Sequence, residues 1–106
     1  MKKIVEEIAY RIRDTLKENI EDFEGLYVYG SQVRGDATEE SDMDIVVLFK
    51  QEYIRMPEPY NDLLFQMGIE YFEIISLDVL PYTREELQRN YSFHDEVVNK
   101  GIYYGA

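Results

Sequence analysis

The sequence predicts an α/β (α+β) fold: a small mixed β-sheet of three to four strands with helices packed against it. Three observations predict it. Apolar residues recur at helical spacing near the start of the chain, residues 43–49 form a nearly continuous apolar run, and strand-like runs alternate with helix-like stretches thereafter.

Ile4, Ile8, Ile12, Leu16 and Ile20 recur every four residues, with Val5 and Ala9 beside them. That stripe predicts an amphipathic helix over roughly residues 2–22, broken by Glu24-Gly25. Glu6, Glu7, Asp14, Glu18 and Glu21 read as its solvated face. Leu26-Tyr27-Val28-Tyr29 is a short β-prone run ending at Gly30-Ser31. Residues 32–41 are polar and read as a helical turn followed by a loop. Met43 to Phe49 is the strongest strand signal, apolar enough for a central strand buried on both faces. Pro57 and Pro59 mark a loop, and Asn61 to about Ile74 reads as a second long helix interrupted by Gly68. Ile75 to Leu80 is a third strand closed by Pro81. Thr83-Arg84-Glu85-Glu86 has the pattern of a capping box. Ser92-Phe93-His94-Asp95 reads as a further helix start, Lys100-Gly101 as its stop, and Ile102-Tyr103-Tyr104 as a last edge strand.

With 106 residues and no linker, repeat or low-complexity stretch, residues 1–106 are expected to form one domain. The hydrophobic fraction of 45% is that of a globular chain. Twenty-two acids against 11 bases give a formal charge of −11, which repels a phosphate backbone and argues against direct nucleic-acid binding. Divalent cations or a basic protein partner would be attracted. The absence of cysteine excludes disulfides and thiolate metal sites. No stretch approaches the roughly 18 apolar residues of a membrane span, and the start has no apolar leader region, so a cytoplasmic protein without membrane contact is expected.

The chemistry is concentrated in GSQVRGDATEESDMD, residues 30–44. Gly30 lets the chain turn sharply at a strand end and lets a ligand approach the backbone. The Ser31 hydroxyl, with the unpaired N–H groups of a beginning helical turn, suits phosphate oxygens. Ten residues intervene before Asp42 and Asp44, which at positions i and i+2 of a strand face the same way. Two close carboxylates repel one another and are costly to desolvate, and a divalent cation relieves both penalties. Mg²⁺, a hard ion that takes one or two carboxylates plus phosphate oxygens, fits them. The segment therefore reads as a triphosphate–Mg²⁺ site.

Gly-Ser, ten residues, then Asp-x-Asp resembles the signature of the polymerase-β-like nucleotidyltransferase superfamily. The whole chain resembles its smallest members, the minimal nucleotidyltransferases paired with HEPN ribonuclease toxins in prokaryotic toxin–antitoxin operons. Arg34-Gly35-Asp36 looks like that group, as do the ISLDVL strand, the Thr83-x-x-Glu86 helix start and the glycine stop before Ile102. The resemblance implies a palm-like nucleotidyltransferase fold. It implies that Gly30 and Ser31 hold the β,γ-phosphates and that Asp42 and Asp44 ligate one or two Mg²⁺ ions. Asp78 matches the third carboxylate, which completes a metal site or accepts the proton of the attacking hydroxyl; Glu70 and Glu73 compete for that role if the third strand begins earlier. The implied reaction is attack of an acceptor hydroxyl on the α-phosphorus of ATP, with the acceptor a tyrosine of the HEPN toxin, which AMP silences. A chain this short has no domain to grip a primer or an antibiotic, so the acceptor is expected to arrive on a partner.

Other residues have plainer readings. Arg34 either ties down the loop through Asp36, Glu39 or Glu40, the favoured role on the residues alone, or touches the nucleotide. Ser41 hydrogen-bonds the turn that presents Asp42. His94 is structural, and Tyr103 and Tyr104 are minor candidates for self-modification. Two other functions compete with adenylyl transfer to a toxin. One is stoichiometric masking of the toxin by an acidic antitoxin with a residual nucleotide site; the other is transfer to a small molecule, for which the chain lacks the helical domain of the aminoglycoside nucleotidyltransferases.

Overall fold

Val5, Ile8, Ala9, Ile12 and Leu16 are completely buried, which sets one face of helix α1 (Lys3–Asn19) against the sheet. The helix stops short of the expected residue 22. Ile20 has extended backbone, donates its N–H to the Leu16 carbonyl, and still reaches the core. The computed structural model describes residues 1–51 and 58–106, so Pro57, expected in a loop, lies outside the described residues.

Glu24-Gly25, expected as a helix breaker, lies inside strand β1 (Phe23–Tyr29), where the register slips between Phe23 and Gly25. The glycine is needed for close approach: a Cβ there would come within 2.6 Å of the Tyr103 hydroxyl. A short helix α2 (Ser31–Arg34) follows, then strand β2 (Met43–Phe49). Strand β1 pairs antiparallel with β2 and with β4 (Ile102–Gly105), while β2 pairs parallel with β3 (Leu77–Tyr82). The order is β3-β2-β1-β4, a mixed four-stranded sheet with β2 internal and β4 at an edge, as the apolar patterns predict.

A parallel β2–β3 pair needs a crossover, and helix α3 (Glu58–Tyr71) lies within it. This helix starts earlier and ends earlier than expected. Pro59, expected in a loop, is its second residue, where no intrahelical acceptor awaits an N–H and the fixed φ of proline suits the helix. The third strand is likewise displaced: β3 begins at Leu77 and runs through Pro81 instead of stopping before it. Proline is tolerated because β3 is an edge strand.

Helix α4 (Arg84–Arg89) opens with the expected capping box: the Glu86 N–H donates to Thr83 Oγ1 at 3.1 Å and the Thr83 N–H to Glu86 Oε1 at 2.9 Å. Helix α5 (Tyr91–His94) starts one residue before Ser92, because Asn90 is its cap and accepts from the Phe93 N–H at 3.2 Å. It runs into a π-helical turn, Asp95–Asn99, that ends before Gly101.

Two apolar layers flank the sheet. Helices α1 and α3 cover Leu26, Val28, Met43, Ile45 and Val47, while Leu87 and Val97 from the C-terminal helices cover Tyr27, Tyr29, Val46 and Leu48. Strand β2 is thus buried on both sides. Among the described residues, no helix is long and apolar enough to cross a membrane.

Candidate active site

The pleat decides which residues meet. Asp44 alternates along β2 with Val46 and Leu48, so it projects toward the C-terminal helices and away from α1. In the parallel register its partner on β3 is Asp78, and in the antiparallel register its partner on β1 is Tyr29. Asp44 therefore stands between a second carboxylate and a phenol in adjacent strands. Asp42 is one residue outside β2 rather than on it, and it is exposed, but its charge still reaches Asp44.

Electrostatics follow from this placement. Partial burial, then the negative charges of Asp78 and Asp42, and a hydrogen bond shared with Asp78 raise the Asp44 pKa above its ordinary value, while Arg34 pulls it down. Burial, with Asp44, Asp78, Tyr82 and Glu96 nearby, raises the Tyr29 pKa, so that phenol stays neutral. Glu70 and Glu73, the alternatives to Asp78, are elsewhere: Glu70 lies on α3 in an ion pair with Arg11 at 2.6 Å, and Glu73 is exposed beyond that helix.

Gly30 lies against Asp44 across the turn. Its backbone has φ 79° and ψ −153°, a region open to glycine, and a Cβ there would collide with Asp44 Oδ2. Ser31 opens α2 directly after it and is half-buried. The Gly30 backbone and the Asp44 carboxylate are thereby close-packed where β1 ends and β2 begins.

The loop between α2 and β2 is held at both ends. Gln32 is 4% exposed, and its Nε2 donates to the carbonyls of Ser41 and Asp42 at 3.3 and 3.4 Å. Ser41 Oγ accepts from the Thr38 N–H at 2.9 Å, the turn bond expected of it. Arg34 pairs with Asp36 at 3.5 Å, as one reading of the sequence has it, and also with Glu96 at 2.7 Å; Glu39 and Glu40 are not its partners. Gln32, Tyr29 and Glu96 carry no sequence pattern that marks them. Glu96 is 62 positions from Arg34, and its approach depends on the π-helical turn. Tyr103 donates its hydroxyl to the Glu24 carbonyl at 3.2 Å and Tyr104 is buried against Tyr10, so neither hydroxyl-bearing ring stands beside Asp44.

The carboxylate cluster lies on an open face. A cavity of about 370 Å³ near Lys2, Ile4, Gln32 and Ile75 is lined by none of Asp42, Asp44 and Asp78. Among the described residues, no three acidic or histidine side chains are gathered into a ready-made metal cage. The donor set nevertheless fits Mg²⁺, which uses one or two carboxylates and leaves its other positions to water and phosphate oxygens. Asp44 beside Asp78, with their mutual repulsion, supplies those hard donors.

The family model described as "Polymerase beta, Nucleotidyltransferase" matches residues 10–103. A relative from Methanocaldococcus jannaschii, named a protein adenylyltransferase, is 28% identical over 101 residues, covering 95% of this chain and 90% of its own. Two solved structures share the fold. One is a toxin–antitoxin with AMP-PNP, with a TM-score of 0.62 and 22% identity over 92% of this chain and 73% of the other. The second is a tri-AMPylated Shewanella oneidensis HEPN toxin in complex with an MNT antitoxin, with a TM-score of 0.62 and 17% identity over 96% of this chain and 73% of the other.

Proposed function

The chain belongs to the polymerase β nucleotidyltransferase family, and from that premise we propose that it transfers AMP from ATP to a tyrosine hydroxyl of a partner HEPN ribonuclease toxin, acting as its antitoxin. The observation that carries this reading is the contact between the Gly30 turn and Asp44, with Asp78 opposite Asp44 in the neighbouring strand. A phosphate-holding turn directly abutting a carboxylate pair is the arrangement that phosphoryl-group transfer requires.

The residues divide the work. Gly30 and Ser31 hold the β,γ-phosphates, the glycine because the backbone must approach them closely. Asp42 and Asp44 would hold Mg²⁺, one ion or two, which would offset phosphate charge and polarise the α-phosphoryl group, leaving to Asp78 the second of the two roles open to it, that of proton acceptor. Arg34 adds positive charge that reaches Asp44. The acceptor oxygen forms a bond to the α-phosphorus as the bond from that phosphorus to the bridging oxygen breaks. Pyrophosphate leaves with those electrons. The hydroxyl proton passes to the Asp78 carboxylate. The relative named a protein adenylyltransferase supports a protein acceptor, and the AMPylated HEPN toxin in a structure of the same fold supports a toxin acceptor.

The test is to incubate the protein with α-labelled ATP, Mg²⁺ and the product of the neighbouring gene. Label on a toxin tyrosine, with loss of ribonuclease activity, is expected. Bound nucleotide and bound toxin with no label would defeat the catalytic reading. The chain charge of −11 favours a second reading, stoichiometric masking of a basic ribonuclease surface. Full neutralisation by the Asp42→Asn, Asp44→Asn double variant would select it.

A further inference from the structure

Helix α3 presents two different faces. Leu63, Leu64, Met67 and Tyr71 pack toward the core, whereas Phe65 and Ile69 on the helix, and Phe72 and Ile74 just beyond it, are 70, 54, 66 and 59% exposed. Phe65, Ile69 and Phe72 fall at i, i+4 and i+7, so they form one stripe. Four of the nine large apolar side chains exposed among the described residues belong to this ten-residue stretch. A groove of about 360 Å³ runs along the stripe, lined by Leu64, Phe65, Gly68, Ile69, Phe72 and Leu77. Contiguous exposed apolar surface of this kind marks an interaction site.

Charge decides what can occupy it. Asp62 is exposed on the same helix, Glu73 is exposed just beyond it and lines the neighbouring cavity with Lys2 and Ile4, and Glu70 is already paired with Arg11. A second copy of the chain would bring the same acids, and another net −11, against this stretch. The complementary occupant is a different protein, apolar at the centre of its contact and basic at its border.

The groove and the carboxylate cluster lie on opposite faces of the sheet and meet only at its β3 edge. Leu77 lines the groove, and the next residue, Asp78, faces the other side of β3 toward Asp44. Because β3 is an edge strand, a protein seated on the groove reaches the site of transfer by extending around that edge.

We propose that the Phe65–Ile69–Phe72 face of α3, with the edge of β3, is the docking surface for the acceptor protein, holding its apolar contact while its basic border meets Asp62 and Glu73. This rests on the proposed adenylylation of a HEPN toxin, and it adds where that toxin binds. The surface acts as a positioning device: it supplies local concentration for a hydroxyl that the small open site does not itself grip.

The probe is a purified HEPN toxin, the proposed partner, with affinity measured by calorimetry. Phe65→Ser with Phe72→Ser is expected to weaken binding on the order of 100-fold, the scale for losing two central aromatic anchors. Asp62→Lys with Glu73→Lys is expected to slow association and flatten its salt dependence. Both variants change exposed side chains, and each should keep the wild-type thermal shift with Mg-ATP, which reports an intact nucleotide site. Wild-type binding that both variants retain in full would overturn the docking surface and leave the proposed reaction standing. Failure of the wild type to bind the HEPN protein would overturn both. Concentration-dependent dimerisation that the double Phe variant abolishes would make this face a self-interface and overturn the proposal as well.

Discussion

Oδ2 of Asp44 occupies the space that a side chain at residue 30 would need, so Gly30 and Asp44 are sterically coupled across the turn between β1 and α2. Gly30→Ala is expected to destabilise the fold by about 1–3 kcal/mol, from a backbone region closed to side chains together with the clash. It should also displace the Asp44 carboxylate and remove the thermal shift with Mg-ATP. Chemical denaturation with and without Mg-ATP checks both effects, and a wild-type denaturation midpoint would contradict the coupling.

Asp44 should trade stability for function. Its folded-state pKa is raised by burial and by its acidic neighbours, so the unfolded chain gives up the proton first. The stability it contributes is present below the ordinary aspartate pKa and is lost as pH rises through the raised value. Asp44→Asn removes that loss. The nucleotide-free variant is expected to melt higher than wild type at neutral pH. The same variant should lose Mg-ATP protection and transfer. A lower nucleotide-free melting temperature at pH 7 would show that the carboxylate is stabilising.

Arg34 opposes the raised pKa of Asp44 through its positive charge. Arg34→Ala should therefore let protons compete with Mg²⁺ to higher pH. The midpoint of Mg-ATP protection against pH is expected to move upward relative to wild type, with only a small loss of stability because the partners of Arg34 are exposed or half-exposed. Thermal shifts over a pH series test this; an unmoved midpoint would separate Arg34 from Asp44 electrostatically.

The capping box supplies a control remote from the chemistry. Thr83→Ala removes the acceptor for the Glu86 N–H and should cost about 1 kcal/mol. Transfer measured well below the melting transition should be unchanged. A selective loss of transfer would tie α4 to the reaction.

Local chemistry by itself determined several features of this protein. The apolar stripe of α1, the doubly buried run of β2 and the Thr83–Glu86 cap are patterns written within a few turns or one strand, where side-chain direction follows from backbone period alone, whereas Asp42, expected on a strand with Asp44, lies one residue outside β2. Strand and helix boundaries near proline were less legible. Pro59 and Pro81 lie inside elements because one occupies a first helical turn and the other an edge strand, and edge status depends on which strands pair.

Tertiary structure alone decided the rest. Asp78, and neither Glu70 nor Glu73, reached Asp44 because the parallel β2–β3 register aligned them. Tyr29, Gln32 and Glu96 joined the site through contacts across strands, a loop and a π-helical turn. Register and long-range pairing are set by how whole elements bury their apolar faces together, and a one-residue slip would turn Asp78 to the opposite face. No short stretch of sequence contains that information.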